Sequence, residues 1–237
     1  MASLLLAYGH SADQEGRWMR FTQQLGRWGQ PKIVVDNRPE TFFAEVQGSN
    51  AQFEFSGYLE GLDALIAQHG PQARIFVFND SLWSHHSPRR WAEFLKNYEP
   101  RRGPGVYGDP RLEPIEVNGR PLRHLASWMF LLEGSTGQQA FREALQHALQ
   151  HFDESPDWPG YDEFLAHYYA PSRRWGGYTQ ALSPEDLERK MRCSWAEHRL
   201  SLHLQHQGMM HPFEGLHYQG LHAVDRALSA IKRLKSK

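Results

Sequence analysis

RIFVFND, Arg74–Asp80, decides the fold. Four apolar residues follow one another without interruption and then give way to Asn79 and Asp80. A short continuous apolar run of this kind is a strand buried on both faces, as in a parallel sheet. Upstream, Phe55, Tyr58, Leu59, Leu62, Leu65 and Ile66 recur mostly three and four apart, a helical stripe closed by Gly70-Pro71. Before it stands KIVVDN, Lys32–Asn37, β-branched, short and again ending in polar residues, which reads as a second buried strand. The run LLLAY within Ser3–Tyr8 reads as another, and Ser11 caps a helix that carries Trp18, Phe21, Leu25 and Trp28. Downstream, Pro88–Tyr98 reads as a helix. Strand and helix alternate three times, the pattern of a parallel sheet with crossover helices.

Beyond Tyr98 the pattern changes. Arg101–Asn118 is rich in Gly and Pro, with GVYGD as a short strand. Leu125–Leu132 (LASWMFLL) is apolar and fits either a strand or a buried helix. Phe141, Ala144, Leu145, Ala148, Leu149 and Phe152 form an amphipathic helix, and Asp153–Gly160 is a loop with two prolines. Ser183-Pro184-Glu185-Asp186 is a helix start, with Ser as N-cap and Pro in the first turn, and that helix is expected to run to Gly208. A last helix carries Leu221, Val224, Leu228 and Ile231 and ends in the basic tail Lys232–Lys237. The expected fold is α/β, a mostly parallel Rossmann-like sheet with flanking helices. Residues 1–150 form its core, and residues 151–237 form a helical C-terminal part packed on the same domain.

The chain's 237 residues suit one domain. Lys and Arg number 26 against 27 Asp and Glu, a net charge of −1, so no basic excess exists to hold a nucleic-acid backbone. Cys193 is the single cysteine, which excludes a disulfide framework and any CxxC motif. No window approaches the ~18 consecutive apolar residues of a membrane span. Met1–Leu6 lacks the basic start and cleavage site of a secretory signal. A soluble, cytoplasmic protein is the expectation.

Two strands end in polar pairs, Asp36-Asn37 and Asn79-Asp80. Ligands of open parallel sheets bind beyond such carboxyl ends, although Asp and Asn also simply start turns. Between the pairs lies Gly48–Leu65, in which Ser56-Gly57 is a candidate helix cap whose free N–H groups favour anions, while Glu54 and Glu60 repel them. RRWGGY, Arg173–Tyr178, reads as a shaped loop whose Arg173 and Arg174 suit a diphosphate. His203, His206, His211, His217 and His222 cluster near the C-terminus, but their spacings fit no standard metal site and most simply make partly exposed histidines. Trp128 suits either sugar stacking or the core, and Cys193 reads as a small buried apolar residue.

The order strand-VDN, GSN, FSGYLEGLDAL and strand-FNDSLW, spanning about residues 30–100, resembles the nucleotide-sugar half of glycosyltransferases with the GT-A fold. It is most similar to the bacterial polysaccharide and rhamnan-synthesis type. SWMFLLEG (Ser127–Gly134) resembles the acceptor-side segment of those enzymes, and Lys190, Cys193, Glu197, Leu200 and Ser201 resemble their C-terminal helix.

The resemblance implies that Asp36, with Asn37 beside it, contacts the nucleoside and that Asn50 helps hold the nucleotide. It places Asn79-Asp80 where the DxD motif binds metal and diphosphate. With one carboxylate in that place, Asp80 either holds Mn2+ or Mg2+, with a C-terminal histidine able to complete the site, or Asn79 contacts the diphosphate without metal. Glu133 and Asp109 are the candidate general bases. The implied partners are a nucleotide-sugar donor and a glycan or lipid-linked acceptor, with the basic tail able to touch an anionic membrane surface. The rival readings are a non-catalytic nucleotide or sugar-nucleotide binder and a helical interaction protein.

Overall fold

The computed structural model describes residues 2–7, 30–38, 44–79, 88–117, 119–170 and 182–235. The three apolar runs are its central strands: β1 (Ala2–Ala7), β2 (Lys32–Asp36) and β4 (Arg74–Asn79). A short β3 (Val46–Gln47) extends them, and α1 (Phe53–His69) and α2 (Pro88–Asn97) flank them. Then come β5 (Gly105–Val117), β6 (Arg120–Glu133), α3 (Gly134–Gln150), α4 (Tyr161–Tyr169), α5 (Pro184–His206), β7 (Met210–Pro212) and α6 (Leu216–Lys235).

Among the described residues the sheet has seven strands in the order β3-β2-β1-β4-β6-β5-β7. β3, β2, β1 and β4 are parallel, β6 runs antiparallel between β4 and β5, and β7 pairs parallel with β5. A mostly parallel α/β sheet is therefore present, with one reversed strand that periodicity did not announce. The stretch Leu125–Leu132 resolves as strand, because β4 and β5 supply hydrogen-bonding partners on its two sides.

The Gly- and Pro-rich stretch is a 13-residue strand rather than a loop with a short strand inside it. The β5–β6 register shifts between Gly108 and Pro110 and again between Leu112 and Glu116. At such bulges a residue without an N–H costs no ladder bond, so Pro110 and Pro114 are tolerated. The two strands pair on as a ribbon past the end of β4, out to the Val117–Arg120 pair.

Alternate residues of the central strands face opposite layers. Leu4, Leu6, Ile33, Val35, Ile75 and Val77 pack under α1, α3 and α5. Leu5, Val34, Phe76 and Phe78 pack under α2 and α6, around the fully buried Trp91. Ala196, Leu200 and Leu204 put α5 into the first of these cores. Ser183 caps α5 as its sequence predicts, its hydroxyl accepting from the Asp186 amide at 3.1 Å, and α5 ends at His206.

The spacing of small residues in α1 has a packing cause. A Cβ on Gly61 would stand 2.3 Å from Leu4 Cδ1 and 2.6 Å from Val35 Cγ2, so the helix lies directly on β1 and β2. Gly61→Ala should lower the unfolding free energy by about 1–3 kcal/mol through overpacking. A urea denaturation midpoint equal to wild type would show that α1 can lift without cost.

Candidate functional site at the carboxyl edge of the sheet

Strand order reverses at β1: the chain passes from it to β2 on one side and later reaches β4 on the other. The crevice at such a reversal, beyond the carboxyl ends, is where open α/β sheets hold ligands. Asp36, Asn37, Asn79 and the entry to α1 meet there.

Asp36 is fully buried. Its Oδ1 accepts the Arg38 backbone N–H at 3.0 Å, and the Arg38 guanidinium grips both carboxylate oxygens, Nη2 to Oδ2 at 2.6 Å. The turn and an ion pair thus already occupy this strand end. Asn37 donates to the Phe53 carbonyl at 2.8 Å and to Asn50 Oδ1 at 3.4 Å, which ties three expected site segments together. A Cβ on Gly48 would stand 1.9 Å from Asn37 Oδ1, and one on Gly57 3.0 Å from it, so the amide fills a slot only glycines leave. Asn50 and Phe53 hold φ of 53° and 52°, a sparsely populated backbone region for a bulky residue such as Phe53. Ser56-Gly57 is not the cap. Helix α1 begins at Phe53, Gln52 stands at the cap position, and the Ser56 hydroxyl instead accepts from the Gln52 amide at 3.2 Å.

Asn79 lies beside β6, its amide donating to the Ser127 carbonyl at 3.5 Å; Tyr58 donates to the same oxygen at 2.6 Å. Where the β5–β6 register shifts, the Leu125 amide donates to Ser201 Oγ and the Ser127 amide to Glu197 Oε1. The polar positions of α5 thus replace ladder partners. Burial pushes the Glu197 carboxyl up, although the Ser127 amide opposes the shift. Glu54, in the first turn of α1, is buried, and burial raises its carboxyl to about 7 despite Lys190 nearby. The Cys193 thiol stands 3.7 Å from Glu54 Oε2, and its own ionisation is driven up by the same burial.

The two expected bases sit elsewhere. Glu133 ends β6, and because β6 is reversed this is the opposite, amino-terminal edge, level with Arg74. Arg74 Nε holds Glu133 Oε2 at 2.7 Å, so the candidate catalytic role of Glu133 does not fit the crevice. Asp109 lies under α2 and α6, with four donors on one carboxylate. Oδ2 accepts from Arg111 at 2.7 Å and from Trp128 Nε1 at 3.2 Å, and Oδ1 from Tyr218 at 2.5 Å, with His222 Nε2 3.0 Å away. Burial alone would raise its pKa, but His222, Arg111 and Tyr218 together hold it down to about 2. A carboxylate so saturated is a poor proton acceptor. Trp128 belongs to the core, its ring 5.0 Å from Trp91 in edge-to-face contact.

Asp80, Arg173 and Arg174 lie outside the described residues. The C-terminal histidines do not converge: His222 meets Asp109, His217 meets Phe94, His211 meets Tyr107, and His203 stacks on His147. The carboxyls that burial pushes toward neutrality, Glu54 and Glu197, were not singled out from sequence as acid–base groups. The spacing Lys190, Cys193, Glu197, one face of a helix, was the available signal. No family model, curated protein or solved structure matches the chain, so the site rests on its own geometry. Among the described residues no helix is long and apolar enough to cross a membrane.

Proposed function

We propose that the protein is a GT-A-like glycosyltransferase. In this reading it moves a sugar from a nucleoside-diphosphate donor to a glycan or lipid-linked acceptor in surface-polysaccharide assembly. The observation that carries the reading is the convergence of Asp36, Asn37, Asn50 and Asn79 on the carboxyl edge where strand order reverses, beside the strained entry to α1. The motif resemblance falls on the same segments. The nucleoside lies along Asp36, Asn37 and Asn50, and the diphosphate toward Asn79.

In the transfer an acceptor hydroxyl oxygen bonds to the anomeric carbon while the bond from that carbon to the diphosphate breaks. The diphosphate leaves with the electron pair, and the acceptor proton passes to a base. Glu54 is the better-placed candidate for that base than Asp109 or Glu133, because it follows Phe53, whose carbonyl Asn37 holds at the crevice; burial raises its carboxyl to about 7. The described residues do not make a cation site at the end of β4. Asn79 carries no charge and its amide donates to Ser127, so a divalent ion there would be held by Asp80, which lies outside the described residues.

A non-catalytic nucleotide binder is the second reading, favoured by the Arg38 grip on Asp36. Nucleoside diphosphates, with and without Mn2+, should raise the melting temperature. Asp36→Ala should weaken their binding about tenfold, about 1.4 kcal/mol, in calorimetry. Unchanged affinity would remove Asp36 from the site. Binding without turnover of any nucleotide sugar in a donor panel would leave the binder, and no nucleotide binding at all would sink both readings. A sheet-built core already sets aside the helical interaction protein.

A further inference from the structure

Along the β5–β6 ribbon, past the end of β4, a second polar cluster sits between the ribbon and the C-terminal helices. Glu113 comes from β5, His124 from β6 and His198 from α5. One donor atom of each lies within 4.8 Å of the others. The two rings are 4.4 Å apart at centroid, and both are at least nine-tenths buried, His124 at 4% exposure and His198 at 3%.

One imidazole is held from behind, and the other faces a carboxylate. Tyr161 Oη stands 2.5 Å from His198 Nδ1, which leaves Nε2 as the nitrogen available to an ion. Glu197 Oε2 stands 3.6 Å from His124 Nε2. His124 Nδ1 is then buried with no hydrogen-bond partner, 3.8 Å from Glu113 Oε1. A buried polar atom without a partner destabilises the fold, so this position calls for an occupant.

We propose that Glu113, His124 and His198 hold a zinc ion that ties the β5–β6 ribbon to α5. Two imidazole nitrogens and one carboxylate oxygen are a recurrent zinc set, whereas Mg2+ and Ca2+ take oxygen ligands. Zinc–nitrogen bonds of about 2.0–2.1 Å at a tetrahedral angle place two ligating rings about 5 Å apart at centroid, so the 4.4 Å present opens by less than about 1 Å when an ion enters. Drawing the donors together takes a movement of about 1 Å. The Tyr161 hydrogen bond fixes the orientation of His198, as the outer partners of ligating histidines do, and the Glu197 carboxylate lies 3.6 Å from His124 Nε2. A tetrahedral site takes a fourth ligand, which here would be a water, since Glu197 is engaged by the Ser127 amide. None of the three ligands belongs to the sugar-transfer site.

The test uses the full chain stripped with chelator and then titrated with Zn2+ or Co2+. One equivalent of Zn2+ should bind and raise the melting temperature, and one equivalent of Co2+ should give the visible absorption of a four-coordinate site. Glu113→Gln keeps shape at a position 15% exposed, so it should fold as wild type by circular dichroism. It should bind Zn2+ at least tenfold more weakly and lose the Co2+ band. His203→Ala, which removes a member of the separate His147–His203 stack, should change neither. Absence of stoichiometric binding, an unaltered Co2+ band in Glu113→Gln, or its loss in His203→Ala each overturns the proposal.

Discussion

Glu54→Gln should stabilise the protein above pH 7 and leave its stability unchanged below about pH 4.5. Burial raises the Glu54 carboxyl from its ordinary 4.5 to about 7. The native state therefore holds a proton that the unfolded chain gives up earlier. Stability linked to this group is fully present below pH 4.5 and is lost as pH rises through about 7. At 1.36 kcal/mol per pH unit the loss reaches about 3 kcal/mol. Glutamine keeps the acceptor that faces Cys193 and carries no charge to bury. The same variant should lose sugar transfer if Glu54 is the base, a separation of stability from activity often found at active sites. Chemical denaturation at pH 4 and pH 8 reads the first effect. Equal wild-type and variant stability at pH 8 would mean that Glu54 is solvated and titrates normally.

Removing Asp109 should have the largest structural cost. Asp109→Ala leaves the Trp128 indole N–H and the Tyr218 hydroxyl without their acceptor inside the core, and takes from Arg111 and His222 their shared anion. Breaking a buried set of this kind by deleting one partner costs about 3–5 kcal/mol. Asp109→Asn keeps an acceptor and should cost less, but it should flatten the acid limb. The wild-type carboxyl is held from 3.8 down to about 2. The stability it adds is present above pH 3.8 and disappears as pH falls through about 2, an effect of about 2 kcal/mol. A denaturation midpoint for Asp109→Ala within error of wild type would show the network to be ornamental.

The parts of the fold that could be read in advance are those whose signal is local. β2 and β4 are uninterrupted apolar runs, and α1 and α5 carry clear stripes or caps, so each announces itself within a dozen residues. β5 did not, because its prolines argue against a strand until the bulges that accommodate them are known. β6 stayed ambiguous because only its two neighbours distinguish a buried strand from a buried helix. Helix α4 and the two- and three-residue strands β3 and β7 lie below the length at which periodicity speaks. The strand-end residues Asp36 and Asn79 were found because topology places them at an edge by rule. Glu133 was misplaced for the complementary reason, since a single reversed strand exchanges the two edges. Glu113, His124 and His198 share no motif; they meet only after a ribbon and a distant helix have packed.

The side chains of α5 that stand in for ladder partners bear on how the sheet is assembled. The Leu125 amide waits for Ser201 and the Ser127 amide for Glu197, separations of 76 and 70 residues. β5 likewise gains its outer neighbour only when the chain returns at Met210. Such closures raise contact order, and slow folding follows from the loop entropy that must be met first. Until α5 docks, these β6 amides have only water to bind, beside an apolar face. In that interval the half-built sheet offers a pairing template to other chains, so the C-terminal helices act as its guard against aggregation.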